Sequence, residues 1–304
     1  MSSKDPNSKP IFSHGFKHQI NASSQDHLDS GLYIVATPIG NLEDITLRAL
    51  KVLSNADVIA CENTRTTAKL LDRYGIQTST ISYHEHNASR AITGVISRLK
   101  KKQVIALVSE AGTPLISDPG YKIVSAAIDQ GYPVITVPGP SAPIAALMVA
   151  GLPTDRFFFA GFLPSRTTSR QKALAKLEFI PATLVFLESP KRLVATLIDM
   201  AEIFGGREVS IMREMTKKFE EHRRGKVKNL AEQYQKEPIV KGEITIIVGP
   251  PSNTISVDNS QIDRLIRKAL AEGGRIRDIV DQVASITGAP RRNVYERANK
   301  LKSR

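Results

Sequence analysis

Apolar and polar positions alternate in blocks along this chain: short apolar runs, each followed after a turn signal by a longer segment whose apolar residues recur every three to four positions. Blocks of the first kind read as strands and those of the second as amphipathic helices. The pattern predicts strands over 32–36, 57–61, 80–84, 104–108 and 134–137. It predicts helices over 45–53, 67–74, 88–102 and 121–130, and a short one from Ser141. Strands alternating with helices at this spacing imply a parallel sheet covered on both faces. After a linker at GLPTD (151–155) comes an aromatic segment, RFFFAGF, starting at Arg156. Strands over 183–187, 209–212 and 243–248 follow, with helices over 169–178, 190–204 and 229–235 and a charged turn before the last of these. This second α/β unit is expected to hold a mixed sheet. Past Pro250 and Pro251 the chain reads as three short helices, 262–271, 276–287 and 291–301, parted by Gly-Gly and Gly-Ala-Pro. The first thirty residues lack apolar periodicity and are expected to be a disordered or loosely attached tail. The expected division is a tail 1–30, an N-terminal α/β domain 31–150, a second α/β domain 151–252 and a helical module 253–304.

The stretch VIALVSEAGTPLISDPGY (104–121) carries the first sign of a ligand site. An apolar run that meets a Ser/Glu/Gly/Thr/Pro cluster reads as a buried parallel strand ending in a loop, and ligands of open α/β sheets lie outside the carboxyl ends of strands. Gly112 would let backbone approach a ligand that a Cβ would hold away. An ordinary tight strand-to-helix connection would show much of the same turn chemistry.

Composition adds a second clue. Of the net charge of +12, a net +10 lies from residue 165 onward, which suggests one half for a small ligand and another facing a polyanion such as nucleic acid. The single cysteine, Cys61, allows no internal disulfide, reads as a small core residue and fits a reducing cytoplasm. No apolar run approaches the roughly 20 residues of a membrane span, and the polar start lacks the apolar core of a signal peptide.

Which ligand the first half takes is narrowed by what is missing. TPIGN (37–41) with Glu62 beyond it invites a dinucleotide reading, but it offers one glycine where pyrophosphate needs three, and its proline removes a donor. The glycine-rich Rossmann methyltransferase loop and the Walker sequence are also missing. The remaining loops, TPIGN, SEAGTPLISDPG (109–120) and PGPSA (138–142), are rich in Gly, Pro, Ser and Thr and poor in charge. Such a crevice suits a ligand without phosphates.

In order along the chain, TPIGNL (37–42), ENTR (62–65), SEAGTP (109–114), SDPG (117–120), PGPSA (138–142), ESPKR (188–192) and REMTK (213–217) resemble the ribosomal RNA small subunit methyltransferase I family of the tetrapyrrole methylase superfamily. The resemblance runs from about residue 31 to 249, and the basic helical tail is similar to the family's C-terminal module. It implies S-adenosylmethionine as cofactor, two α/β domains of the tetrapyrrole methylase type with the cofactor between them, 2′-O-methylation of a cytidine in small-subunit ribosomal RNA, and a homodimer. It also implies cofactor contacts from Pro38, Gly112, Thr113, Pro114, Leu115, Ile116, Ser141 and Ala142 in the first domain, and from Leu187 and Met212 in the second. Core packing is the plain alternative for Leu187 and Met212. Two positions depart from the family pattern: Asn63 and Glu110 stand where it favours Asp.

A ribose hydroxyl is a poor nucleophile until its proton leaves, so a base is worth seeking. Candidates are Glu62, Glu110, Glu188, Glu214 and the His84-Glu85-His86 segment. Glu188 and Glu214 end consecutive strands and are each followed by cations, Lys191 and Arg192, and Lys217 and Lys218, which pairs an acid with phosphate anchors. The expected catalytic set is therefore Glu188, Arg192, Glu214 and Lys217, with Glu62 and with Arg65 as a phosphate or ribose contact. Surface ion pairs would give the same pattern. His84 and His86 share one side of a strand, but no third ligand accompanies them and no metal is expected. The run RRGKVK (223–228) reads as a solvated turn that could track an RNA backbone, and Arg291 and Arg292 could do likewise. A small-molecule tetrapyrrole methyltransferase and a non-catalytic RNA-binding assembly factor are the competing functions. The basic second half argues against the first and the low-charge crevice against the second.

Overall fold

The structure is a computed structural model that describes residues 27–84, 87–251, 259–287 and 289–302. The tail expectation over 1–26 therefore lies outside the described residues. The first unit contains β1 (Gly31–Val35), β2 (Val58–Cys61), β3 (Thr80–Ser82), β4 (Val104–Val108) and β5 (Val134–Val137). Between and after them lie α1 (Leu47–Asn55), α2 (Thr64–Tyr74), α3 (Ala88–Lys100), α4 (Tyr121–Asp129) and α5 (Ala142–Ala150). The strands form one parallel sheet in the order β3-β2-β4-β1-β5. Every residue of β4 is buried, which is what its unbroken apolar run requires of a central strand covered on both faces. The helices start where their caps dictate: the Thr46 hydroxyl accepts from the Ala49 N–H, and Asn63 Oδ1 accepts from the N–H groups of Arg65 and Thr66. Asn63, one of the two departures from the family pattern, is thus the cap of α2.

The second unit holds β6 (Phe157–Phe162), α6 (Thr167–Ala175), β7 (Thr183–Glu188), α7 (Leu193–Phe204) and β8 (Glu208–Arg213). It continues with β9 (Glu221–Lys226), α8 (Val227–Lys236) and β10 (Ile244–Val248). Its sheet runs β6-β7-β10-β8-β9, with β6 and β7 parallel and the other pairs antiparallel. The run over 223–228 corrects the expectation of a turn, because Arg223 to Lys226 belong to β9 and Val227 opens α8. Neighbours compensate its charge: Arg223 pairs with Glu221 and Glu237 and lies over the Tyr234 ring. A charged edge strand of this kind resists pairing with other chains.

The two units meet through α5. Its sequence APIAALMVA has no polar face, so a helix that belongs to the first unit by chain order also buries Ala146, Leu147 and Ala150 against Val185, Met212 and Ile247 of the second sheet. That seam sets the carboxyl ends of the first sheet beside β7 and β10. The last three helices are α9 (Asn259–Ala271), α10 (Ile276–Thr287) and α11 (Arg291–Lys302). They build a core of their own around Ile262, Ile266, Ile279, Val283 and Val294, and a two-point ion pair between Arg297 and Asp263 ties α11 to α9.

Candidate active site

A cleft of about 430 Å³ lies between the two units, within the size range of small-molecule sites. The loops after β1, β4 and β5 form one wall, and the ends of β6 and β7 with residues 242–245 form the other. Reciprocal backbone hydrogen bonds hold the first wall together, Thr37 N to Gly112 O at 2.8 Å and Gly112 N to Thr37 O at 3.0 Å. The Thr113 hydroxyl adds a bond to Pro140 O at 2.9 Å, so three strand ends act as one surface. Gly112 has φ 75°, and a Cβ there would stand 3.1 Å from Ile39 Cγ2. Glycine meets both the backbone and the space requirement.

Of the residues implied for the cofactor, Gly112, Thr113, Ile116, Ser141, Ala142 and Leu187 line this cleft. Pro38 and Pro114 are buried beside it. Leu115 turns into the core under the first sheet, and its φ of 73° is one of two positive values for non-glycine residues in this loop, with Ser117 at 67°. Met212 is fully buried in the seam under α5, whereas Met215 reaches the cleft wall.

The acids divide into three settings. Glu188 faces the cleft with a buried carboxylate that accepts from the Ser189 N–H at 2.7 Å and the Thr196 hydroxyl at 2.6 Å. Arg192 closes on it at 3.1 and 3.2 Å and also donates to Leu163 O. Glu188, Arg192 and Thr196 therefore form a filled clamp between β7 and α7. Glu214, with φ 53°, accepts from Lys217 Nζ at 2.8 Å and from the Glu243 N–H at 2.9 Å. Burial works against its charge, but the bonds from Lys217 and Glu243 and the charges of Lys217 and Arg213 outweigh it and hold its carboxyl below the usual range. Lys217 bridges on to Glu243 at 3.1 Å.

The third setting was not singled out in the sequence. Asp118 lines the cleft, and burial pushes its carboxyl up to about 6, helped by the charges of Glu62 and Glu110 and opposed by a hydrogen bond from Ser109. Glu62 is raised in turn, by burial first and then by Glu110, with His84 opposing. Along the chain Asp118 belongs to the SEAGTPLISDPG loop, and only the fold brings it near Glu62 at the end of β2. Arg65 is exposed on the first turn of α2. Glu85 and His86 lie outside the described residues, and no group of three potential metal ligands occurs among the described ones.

The cleft's chemistry is one-sided. None of the described side chains lining it is Lys or Arg, whereas Glu110, Asp118, Glu188 and Glu243 are acidic and most of the rest are apolar or small. Such walls repel phosphate and suit a partly apolar ligand that carries positive charge.

Residues 31–231 match the family described as tetrapyrrole (corrin/porphyrin) methylases, and residues 256–302 match the RsmI C-terminal HTH domain. Over 276 residues the chain is 49% identical to Ribosomal RNA small subunit methyltransferase I of Mesorhizobium japonicum, covering 90% of this chain and 93% of that one. The protein of that name from Halalkalibacterium halodurans is 44% identical over 279 residues, with 90% and 96% covered. The chain belongs to the ribosomal RNA small subunit methyltransferase I family. The chain has the tetrapyrrole methylase fold, and two solved structures are similar to it. Uroporphyrin-III-C-methyltransferase from Thermus thermophilus superposes with a TM-score of 0.53 at 21% identity over 72% of this chain and 93% of that one. Diphthine synthase reaches 0.56 at 17% identity over 72% and 89%. The family that the ordered motifs resemble is thus the one to which the chain belongs, and it is a family of methyltransferases.

Proposed function

We propose that this protein methylates the ribose 2′-oxygen of a cytidine in the 16S RNA of the small ribosomal subunit. The methyl donor is S-adenosylmethionine. The observation that carries the substrate reading is the near full-length likeness to relatives named for the small-subunit RNA, the helix-turn-helix module included. The cofactor fits on chemistry, because acidic and apolar walls without Lys or Arg suit a sulfonium that bears no phosphate. Bound there, it supplies a methyl group that is already electrophilic.

What remains for the protein is to place the ribose oxygen at attack distance and take its proton. The Gly112 loop lets backbone approach the cofactor, and the Glu188–Arg192–Thr196 clamp fixes the wall formed by Leu187 to Pro190. With its oxygens engaged by three hydrogen bonds and the Arg192 ion pair, Glu188 acts as a positioning residue. Glu214 and Lys217 serve the RNA side beside the cleft residue Glu243, Glu62 stands behind Asp118, and the exposed Arg65 serves as a phosphate or ribose contact. Asp118 lines the cleft with its carboxyl pushed up to about 6 by burial, and it is assigned to take the ribose proton onto a carboxylate oxygen. Purified protein given methyl-labelled S-adenosylmethionine is expected to label small subunits, and alkaline digestion should leave the modified linkage intact because cleavage needs a free 2′-hydroxyl. Label on a porphyrinoid and none on RNA would overturn the reading. Gly112→Val is expected to abolish the rise in unfolding temperature that the cofactor gives the parent, since ligand binding to the native state alone produces that rise.

We further propose a homodimer, supported by the exposure of Phe157 and Phe158 on the edge strand β6 and of Met148 on α5. Light scattering from the purified protein tests it, with the monomer mass as the contrary result.

A further inference from the structure

Beside the cleft lies a second, more open depression of about 600 Å³, walled by Gly40, Asn41, Leu42 and Glu43 of the first unit with Arg73 at the end of α2, and by Thr216, Lys217 and Lys218 of the second. The two cavities share a partition. Ile39 faces the cleft and Gly40 the depression, and across the seam Met215 faces the cleft and Thr216 the depression. The partition is tightly built: Asn41 N–H donates to Thr216 Oγ1 at 3.0 Å, and a Cβ on Gly40 would stand 2.6 Å from both Thr216 Oγ1 and Lys217 Cγ. A hydrogen bond from the Tyr74 hydroxyl to Leu42 O fixes the short 3₁₀ turn Leu42–Asp44 against α2.

The charge of the two cavities is opposite. The cleft has four acids and no Lys or Arg, whereas the depression has three cations and one acid, Glu43. Lys217 is engaged by Glu214 and Glu243, and Lys218 stands beside it on the same loop. Next to Lys218 stands Phe219, 68% exposed, with the Lys218 ammonium 5.6 Å from its ring centroid. An exposed phenyl group on a cationic loop contributes little to a core, and it has the two features with which proteins hold single-stranded nucleic acid: a ring face for a base and a cation for the adjoining phosphate.

We propose that this depression is the RNA-strand subsite next to the target nucleotide, with a phosphate held by Lys218 and the adjoining base stacked on Phe219 at its edge. The inference rests on the RNA reading above and deepens it. A strand lying there has its neighbouring ribose one residue's width from the cleft, across the Ile39–Gly40 and Met215–Thr216 partition. Both units build the subsite, so RNA and cofactor read the same interdomain arrangement.

The test is steady-state methylation of small ribosomal subunits by the full chain. Phe219→Ala is expected to raise KM for subunits roughly tenfold, the scale of one lost base–aromatic stack, with kcat and the cofactor-induced rise in unfolding temperature preserved. Phe219→Tyr should restore KM, and Phe219→Leu, apolar but without a ring face to stack on, should not. Lys218→Ala should lower the salt slope of binding by about 0.7, the value for one phosphate contact on a single strand. An unchanged KM in Phe219→Ala, or full rescue by leucine, would sink the subsite while leaving the methyltransferase reading intact. A changed oligomeric state in Phe219→Ala with normal RNA kinetics would assign the ring to a second copy of the chain instead. Failure of the parent protein to methylate subunits would remove the RNA reading and the subsite with it.

Discussion

At the scale of single residues, Asp118 has opposite effects on stability and chemistry. Its carboxyl binds a proton more tightly in the folded chain, at about 6, than its ordinary value of 3.8. The folded state therefore loses stability through this group as pH rises from about 4 past 6, the reverse of a salt-bridged acid. The full shift corresponds to ~3 kcal/mol, and solvent screening of a half-buried side chain reduces it to roughly 1–2 kcal/mol. Asp118→Asn is expected to raise the urea midpoint at pH 7 and leave it unchanged near pH 4, while methyl transfer falls by about 10²-fold or more. A variant that keeps full activity would exclude Asp118 as the proton acceptor. The sequence showed this residue only as part of the loop after β4, because its burial and the approach of Glu62 from the end of β2 come with the fold. Glu188 illustrates the converse: acid followed by Lys and Arg is legible along the chain, but that its oxygens are already engaged is a fact of packing against Thr196 and Arg192.

At the scale of elements, that clamp joins the end of β7 to the first turns of α7 and keeps Leu187 to Pro190 in place as a wall of the cleft. Removing the acid strands an arginine that is three-quarters shielded from water and leaves the Thr196 hydroxyl without its acceptor. Glu188→Ala is expected to cost about 2–4 kcal/mol, read from denaturant unfolding, with cofactor affinity reduced alongside. Glu188→Gln keeps the shape and the acceptor for Thr196 and should recover part of the loss. Recovery to the parent's stability would show that the charge of the pair contributes nothing. The elements themselves were mostly legible, since apolar runs and helical spacing are local properties. β9 was not, because its residues are polar on both faces and only antiparallel pairing with β8 makes a strand of them.

For the whole molecule, the C-terminal helices have their own hydrophobic centre, so the two-sheet body does not depend on them to fold. Deleting the chain from about residue 256 is expected to leave cofactor affinity unchanged and to weaken RNA binding together with its salt dependence, because lost Lys and Arg contacts release fewer counterions. Unchanged concentration and salt dependence in the truncated protein would leave these helices only a capping role. By itself the sequence determined the succession of strands and helices, the parallel first sheet, the concentration of positive charge in the second half and a cleft ligand without phosphate. Each follows from spacing or composition within one stretch, where covalent neighbours fix the geometry. The tertiary structure alone decided that β10 lies between β7 and β8, that α5 packs against the second sheet, and that Asn41 meets Thr216 across 175 positions of chain. It likewise separated an acidic cleft from a cationic groove on two sides of one partition. Those outcomes depend on which surfaces exclude water together, a property of pairs of distant segments that no single segment carries.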